Sequence, residues 1–186
     1  MSKDRKLRLS YTLLNLWDRG DVQGAVDTYL HLDKPMNQAV IEGREIHEQI
    51  AEYIDKHNCF PEWLFKYDLI TPETEKEVIV SYNDLFDLKC YMDCYDMGTE
   101  TLFEFKTGVS DSLNYTRTWQ LPLYFLIGEL ASLPIKSGIL VHHNQHTKTT
   151  DYTVMHNNKE TKDLARNIID SIGPEIRDYF LQEGLI

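Results

Sequence analysis

The stretch from Leu85 to Thr107 constrains this chain more than any other, because it reads as two strands that alternate apolar and polar side chains around a short turn. Leu85 to Tyr95 forms the first strand and Thr101 to Thr107 the second, with Asp96, Met97, Gly98 and Thr99 as the loop. Centring that loop between Met97 and Gly98 places Asp93 opposite Leu102 and Tyr91 opposite Glu104. Opposite residues share a sheet face and side chains alternate with period two. Asp87, Lys89, Tyr91 and Asp93 should therefore point the same way as Glu104 and Lys106, and Cys90, Met92, Cys94, Phe103 and Phe105 the other way. The hairpin is expected to have one apolar face and one face that gathers two acids and a lysine.

The flanking segments change period and read as helices and further strands. Ser10 has the character of an N-cap for a short helix from Tyr11 to Trp17, and a second short helix covers Asp21 to Leu32. The longest helix runs from about Met36 to Asn58, where Ala39, Val40, Gly43, Ile46, His47, Ile50, Tyr53 and Ile54 recur at helical spacing. This puts His47 on the buried stripe. Pro61 and Pro72 mark the loop that follows, and Val78 to Tyr82 suggests a strand. After the hairpin come a helix from Leu113 to Ser132, in which Pro122 must fall in the first turn or cause a kink, strands at Lys136 to His142 and Thr149 to His156, and an amphipathic helix from Lys159 to Gln182. The order implies an α/β fold with a central mixed sheet flanked by helices, and residues 1–186 read as a single domain.

Bulk properties narrow the classes further. A hydrophobic share of 42% and a charged share of 26% are those of a soluble globular chain, and no stretch approaches the ~18 uninterrupted apolar residues of a membrane span. The N-terminal run MSKDRKLRLSYTLLNLW has no apolar signal core, so a cytoplasmic address and no membrane partner are expected. Cys59, Cys90 and Cys94 cannot pair completely and read as reduced thiols. The net charge of −11 argues against extended, non-specific binding along a duplex and leaves room for a metal-centred site with a local basic rim.

Charge gathered on one face of a core hairpin needs a partner. A divalent ion of the Mg²⁺ kind prefers hard oxygen ligands and keeps waters, so two carboxylates suit it, and Lys106 beside Glu104 could hold an attacking water and stabilise charge building on phosphorus. Asp93 followed by Glu104, Phe105 and Lys106 resembles the D…ExK core of the PD-(D/E)xK nucleases. Gly43 to His47 gives GxxxH, Lys106 to Gly108 gives KTG, and Gln120 with Tyr124 gives QxxxY within QLPLYFL, all in the order found in the RecB-like branch. Ser10 to Trp17 resembles the opening helix of that branch, so the likeness runs over about residues 10–125.

The resemblance implies a restriction-endonuclease-like core and a DNA exonuclease that hydrolyses phosphodiester bonds with Mg²⁺ or Mn²⁺. By the same resemblance His47, Asp93, Glu104 and the Phe105 carbonyl bind metal, Lys106 activates water, and Gln120 and Tyr124 contact substrate. Cys90 stands where many relatives have glycine, and the four-cysteine staple of some members is missing, so no iron–sulfur cluster is expected. No helicase part is present, in keeping with a stand-alone enzyme of phage or mobile-element type. The alternatives are a structure-specific endonuclease on the same fold and a non-catalytic acidic module that mimics nucleic acid. Outside this set, His142, His143 and His146 lack the carboxylates of a metal site, Arg5, Lys6 and Arg8 read as a solvated tail, and Asp87 and Lys89 as a cross-strand pair.

Overall fold

The hairpin forms as its alternation requires, two residues out of the expected register. A computed structural model describes residues 6–32, 38–108 and 118–186. In chain order they form β1 (Leu7–Ser10), α1 (Tyr11–Asp18), α2 (Val22–Tyr29), α3 (Gln38–His57), β2 (Pro72–Ser81), β3 (Phe86–Asp96), β4 (Thr101–Gly108), α4 (Gln120–Leu130), β5 (Ser137–Asn144), β6 (Thr149–His156) and α5 (Lys159–Gln182). Cys94 pairs with Phe103, Tyr95 with Leu102 and Asp96 with Thr101, so the loop is Met97 to Glu100 and begins one residue later than expected. A shift of two preserves parity, and continuing the register one step past the last pair, Cys94 with Phe103, brings Asp93 to Glu104.

The architecture is an α/β fold built on a six-stranded mixed sheet. Antiparallel β2 pairs with β3 from Asp96 to Asp87, on one edge. The other edge of β3 is divided: β1 lies parallel to it at Phe86–Lys89, and β4 antiparallel at Cys94–Asp96. Beyond β4 the sheet continues with parallel β5 and antiparallel β6. β1 was not anticipated. Lys6 and Arg8, read from sequence as solvated tail, lie at and within it, with Lys6 Nζ 3.9 Å from Asp87 and hydrogen-bonded to Ser81; Arg5 lies outside the described residues.

Two cores sandwich the sheet. Leu13 and Leu14 of α1, Ala25 of α2, Leu121 to Ile127 of α4 except Pro122, and Ile169, Ile176 and Phe180 of α5 pack with Leu88, Cys90, Met92, Leu102 and Leu140. On the opposite face Ile50 and Ile54 of α3, with Phe60, Leu64 and Leu69, pack against Cys94, Phe103, Phe105, Ile139 and Val141. The expectation that Cys90, Met92 and Cys94 share a face is therefore corrected: Cys94 belongs to the second core and the other two to the first. The alternation slips between Met92 and Cys94. Directly opposite, Glu75 of β2 has φ +49 and is the one position missing from an otherwise continuous ladder.

Local signals account for the helix ends. Ser10 caps α1, its side chain accepting from the Leu13 N–H at 3.3 Å, and Asp21 caps α2 through the Gly24 N–H at 2.9 Å. Asn58, at φ +56, ends α3 in the left-handed conformation that asparagine tolerates. Residues 36 and 37, expected to open that helix, and residues 113–117, expected to open the next, lie outside the described residues. Pro122 does fall in the first turn of α4, where its missing N–H costs no helical bond. From Gln120 to Gly128 every residue of α4 is buried, as befits a helix enclosed between the sheet and α5.

Asp96 ties the end of β3 to the start of β2. Its buried carboxylate accepts from the Thr71 N–H at 2.6 Å, the Ile70 N–H at 3.2 Å, the Gly98 N–H at 3.2 Å and the Thr99 hydroxyl at 2.8 Å. Burial alone would raise its pKa, but these donors outweigh it and hold the group below the usual carboxylate range. Asp96→Ala should cost about 3 kcal/mol in urea denaturation at pH 7, because several donors lose a charged acceptor at once. With a depressed folded-state pKa the contribution is present above the unfolded carboxylate range and is lost as pH falls through it, so the gap between parent and variant should narrow in acid.

Candidate active site

A fork in the sheet creates the site. β3 and β4 pair only as far as Cys94 and Phe103, and from Glu104 onward β4 pairs with β5 alone. At the fork the Phe105 N–H donates to Asp93 Oδ2 at 2.7 Å, a side-chain oxygen standing where a backbone carbonyl would otherwise accept. On the β1–β4 edge no described strand pairs with Cys90 to Asp93, so the carboxylate of Asp93 has an opening in front of it.

Helix α3 brings His47 to that opening from the α3 side of the sheet. Thr107 Oγ1 donates to the Gly43 carbonyl at 3.3 Å, and a Cβ added at Gly43 would meet the same hydroxyl at 3.2 Å, so glycine sets the close approach of α3 to β4. One turn later His47 Nδ1 lies 3.8 Å from Asp93 Oδ1, and its ring meets Phe105 edge-on with centroids 6.1 Å apart. The sequence placed His47 on a buried stripe, and it is partly buried; Val40, assigned to the same stripe, is 51% exposed.

Helix α4 closes the site from the opposite face. Glu104 Oε1 accepts from Lys106 Nζ at 2.6 Å and from Gln120 Nε2 at 2.5 Å, while Gln120 Nε2 also lies 2.8 Å from the Tyr124 hydroxyl. Glu104, Gln120 and Tyr124 are all buried. Glu104 Oε2 is buried too, with no hydrogen-bond partner among the described residues, and Gln120 Oε1 shares that condition. An unsatisfied carboxylate oxygen at this depth costs several kcal/mol unless water or a cation meets it.

The electrostatics follow from burial. Loss of water pushes Glu104 up to about 7, and the neighbouring Asp93 adds to it while Lys106 pulls the other way. Asp93 is likewise pushed up to about 7 by burial, against the pull of Lys106 and of the Phe105 N–H. Burial disfavours the Lys106 ammonium, yet Glu104 and Asp93 together outweigh it and its pKa is raised. Burial lowers His47, with Glu104 opposing, which leaves its imidazole neutral and able to act as a ligand at neutral pH. Two acids, one lysine and a neutral imidazole are thus held where ionising both acids is unfavourable without added positive charge.

Sequence reading missed two neighbours and misplaced three. Glu75 is coupled electrostatically to His47, Asp93 and Glu104, and Tyr11, at the start of α1, to Lys106 and Glu104. Glu75 sits in no motif, hidden by the proline-bounded start of β2, and Tyr11 lies in the Ser10 to Trp17 stretch without having been singled out. Asp87, Lys89 and Tyr91 do not join Glu104 and Lys106. Lys89 Nζ lies 2.5 Å from Glu77 and over the Tyr91 ring, and the Tyr91 hydroxyl donates to Glu77 at 2.8 Å, forming a surface cluster on the outer arm of the hairpin. His142 and His143 are both buried on β5, where His143 Nδ1 lies 2.9 Å from Thr150 Oγ1 and its ring meets Trp63; His146 is in the following turn.

Among the described residues no three His, Cys, Asp or Glu side chains stand close enough together, as they are placed, to hold a metal ion between them. The bare Glu104 Oε2, the Asp93 carboxylate and the neutral His47 nitrogen nevertheless fit a hard ion that retains water ligands, and fit it better than an ion demanding a closed protein shell. The carbonyl of Phe105, between Glu104 and Lys106, is a further oxygen at the fork.

No family model matches the sequence, and no curated protein matches it as a relative. Solved structures do share the fold. SSO0001 superposes with a TM-score of 0.56 at 14% identity, over 90% of this chain and 76% of its own. An alkaline exonuclease from Laribacter hongkongensis, also solved in complex with dAMP, superposes with a TM-score of 0.51 at 12% identity, over 96% of this chain and 93% of its own. A phage-related exonuclease from Haemophilus somnus 129PT gives 0.53 at 9% identity, over 96% of this chain and 97% of its own. Two of these structural neighbours of the α/β fold are exonucleases.

Proposed function

We propose that this chain is a divalent-metal-dependent nuclease of the RecB-like branch of the PD-(D/E)xK superfamily, hydrolysing phosphodiester bonds from DNA ends. The observation that carries the reading is the buried Glu104 carboxylate, one oxygen held by Lys106 and Gln120 and the other bare, at a fork that also presents Asp93 and faces His47. A structural acid buried this deeply would have both oxygens satisfied. The exonuclease neighbours favour attack from ends, and the complex of one of them with dAMP favours a DNA substrate for this chain also.

His47, Asp93, Glu104 and the Phe105 carbonyl would hold Mg²⁺ or Mn²⁺, which when bound supplies Lewis-acid stabilisation of the scissile phosphate. Lys106 orients the attacking water and stabilises negative charge at phosphorus, and its raised pKa keeps it an ammonium. Gln120 fixes the Glu104 rotamer, and Tyr124 anchors Gln120. Their burial favours this positioning role over the direct substrate contact that the resemblance implies. Phosphate approaching a chain of net charge −11 finds its favourable counter-charge at the metal and Lys106.

End-labelled linear and circular DNA, single- and double-stranded, incubated with Mn²⁺, Mg²⁺ or chelator, tests the assignment. Digestion of linear forms alone, abolished by chelator, is expected; cleavage of circles would instead indicate a structure-specific endonuclease. Glu104→Gln and Lys106→Ala should each lower the rate on the order of 10²–10⁴-fold with the fold retained by circular dichroism. Undiminished rates in both variants would eliminate the site.

The raised acids also set a pH dependence of stability. Both have folded-state pKa values of about 7, above the unfolded carboxylate range, so the folded state carries extra protons and stability falls as pH rises through 7. His47 works in the opposite sense below its unfolded pKa, which makes the interval from pH 6.5 to 8 the informative one. Metal-free protein should melt at a lower temperature at pH 8 than at pH 6.5, Mn²⁺ should restore the difference, and Glu104→Gln should flatten it. A flat profile in the parent protein would contradict the coupling of these acids.

A further inference from the structure

We infer that Glu75 supplies a third carboxylate to the proposed divalent-metal centre. The inference rests on that reading of the site and extends it to a residue outside every motif of the chain.

Three observations converge on Glu75. The β2–β3 ladder pairs each position from Pro72 with Asp96 to Ser81 with Asp87 except one, and the missing pair is Glu75 with Asp93. Glu75 holds φ +49, a left-handed conformation that is uncommon for glutamate and out of place inside a strand. The core allegiance of β3 changes across the same point, Met92 packing in one core and Cys94 in the other, and Thr74 donates to Asp55 of α3 while Val78 packs in the first core. The hairpin therefore turns a corner at this pair. By the flanking register Glu75, itself exposed, stands across the strand from Asp93, whose Oδ1 lies 3.8 Å from His47 Nδ1, and the charge of His47 opposes the upward push of burial on Glu75.

The charge balance favours a cation in front of these groups. Asp93, Glu104 and Glu75 set three acids against one ammonium, Lys106, and a neutral His47, so all three can ionise together only with added positive charge in front of them. Independently, Glu104 Oε2 in the same centre is buried without a hydrogen-bond partner among the described residues. One divalent ion answers both. The plainer reading is that the kink only blunts an edge strand against pairing with other chains, a use to which bulges are commonly put. In that case the identity of the side chain at position 75 would not matter to metal.

Calorimetric titration of the full chain with Mn²⁺ separates the readings without recourse to activity. Glu75→Gln should weaken Mn²⁺ binding at least fivefold. Glu75→Gly should weaken it as much while raising the metal-free melting temperature, because glycine relieves the left-handed backbone as it removes the ligand. Glu77→Gln, two residues along the strand, should bind as the parent does. If Glu104→Gln loses Mn²⁺ while Glu75→Gln stays within fivefold of the parent, the metal centre stands and the role of Glu75 is overturned. If Glu104→Gln also binds like the parent, the metal centre itself fails and takes this inference with it.

Discussion

The hydrogen bond from the Phe105 N–H to Asp93 Oδ2 is the contact on which the site depends. Two strands that part company inside a protein leave backbone groups without partners, and each such group carries a desolvation cost. Here an acidic side chain takes the place of the missing strand on one side of the fork. The carboxylate is thereby fixed at the opening, one oxygen committed to the backbone and the other toward His47. The same contact satisfies the fold and orients a functional group.

Access from both faces follows from the fork. A continuous sheet would separate the α3 side from the α4 side, so that an imidazole on one helix and a glutamine on the other could not serve one pair of acids. Parting β3 from β4 beyond Phe103 lets His47 reach Asp93 from one layer while Gln120 reaches Glu104 from the other. The small residue at Gly43 and the wholly buried α4 are the packing counterparts of this arrangement: one lets a helix approach the strand end closely, the other carries a polar pair through an apolar layer to the acid it holds.

Much of this was legible in the sequence, and the reasons differ from element to element. Period-two alternation located β3 and β4, and because the register error was an even number it left Asp93 and Glu104 on a common side. The capping residue Ser10 and the boundaries of α5 were readable from local chemistry alone. What escaped depended on long-range pairing. β1 has only four residues and exists because β3 offers it an edge; read locally, its basic side chains look like a tail. The corner at Glu75 and Asp93 escaped for a related reason. Strict alternation placed Asp87, Lys89 and Tyr91 with Asp93, Glu104 and Lys106, whereas the alternation breaks opposite a single left-handed residue in the partner strand, and Lys89 and Tyr91 join Glu77 in a surface cluster while Asp87 lies beside Lys6.

The acidic balance of the chain bears on how such a site would select its substrate. With 30 acidic against 19 basic residues, long-range electrostatics oppose the approach of a polyanion, and affinity cannot come from a broad basic track. In the proposed nuclease, favourable interaction would then be concentrated where positive charge is held, at Lys106 and at the cation that Asp93 and Glu104 would recruit. A chain end can bring a terminal phosphate to such a point with little of its backbone running along the acidic surface, whereas an internal site on a duplex would carry flanking phosphates past it on both sides. Net charge, an awkward feature for a general DNA-binding protein, thus becomes an argument for attack at ends once the cationic focus is confined to the fork.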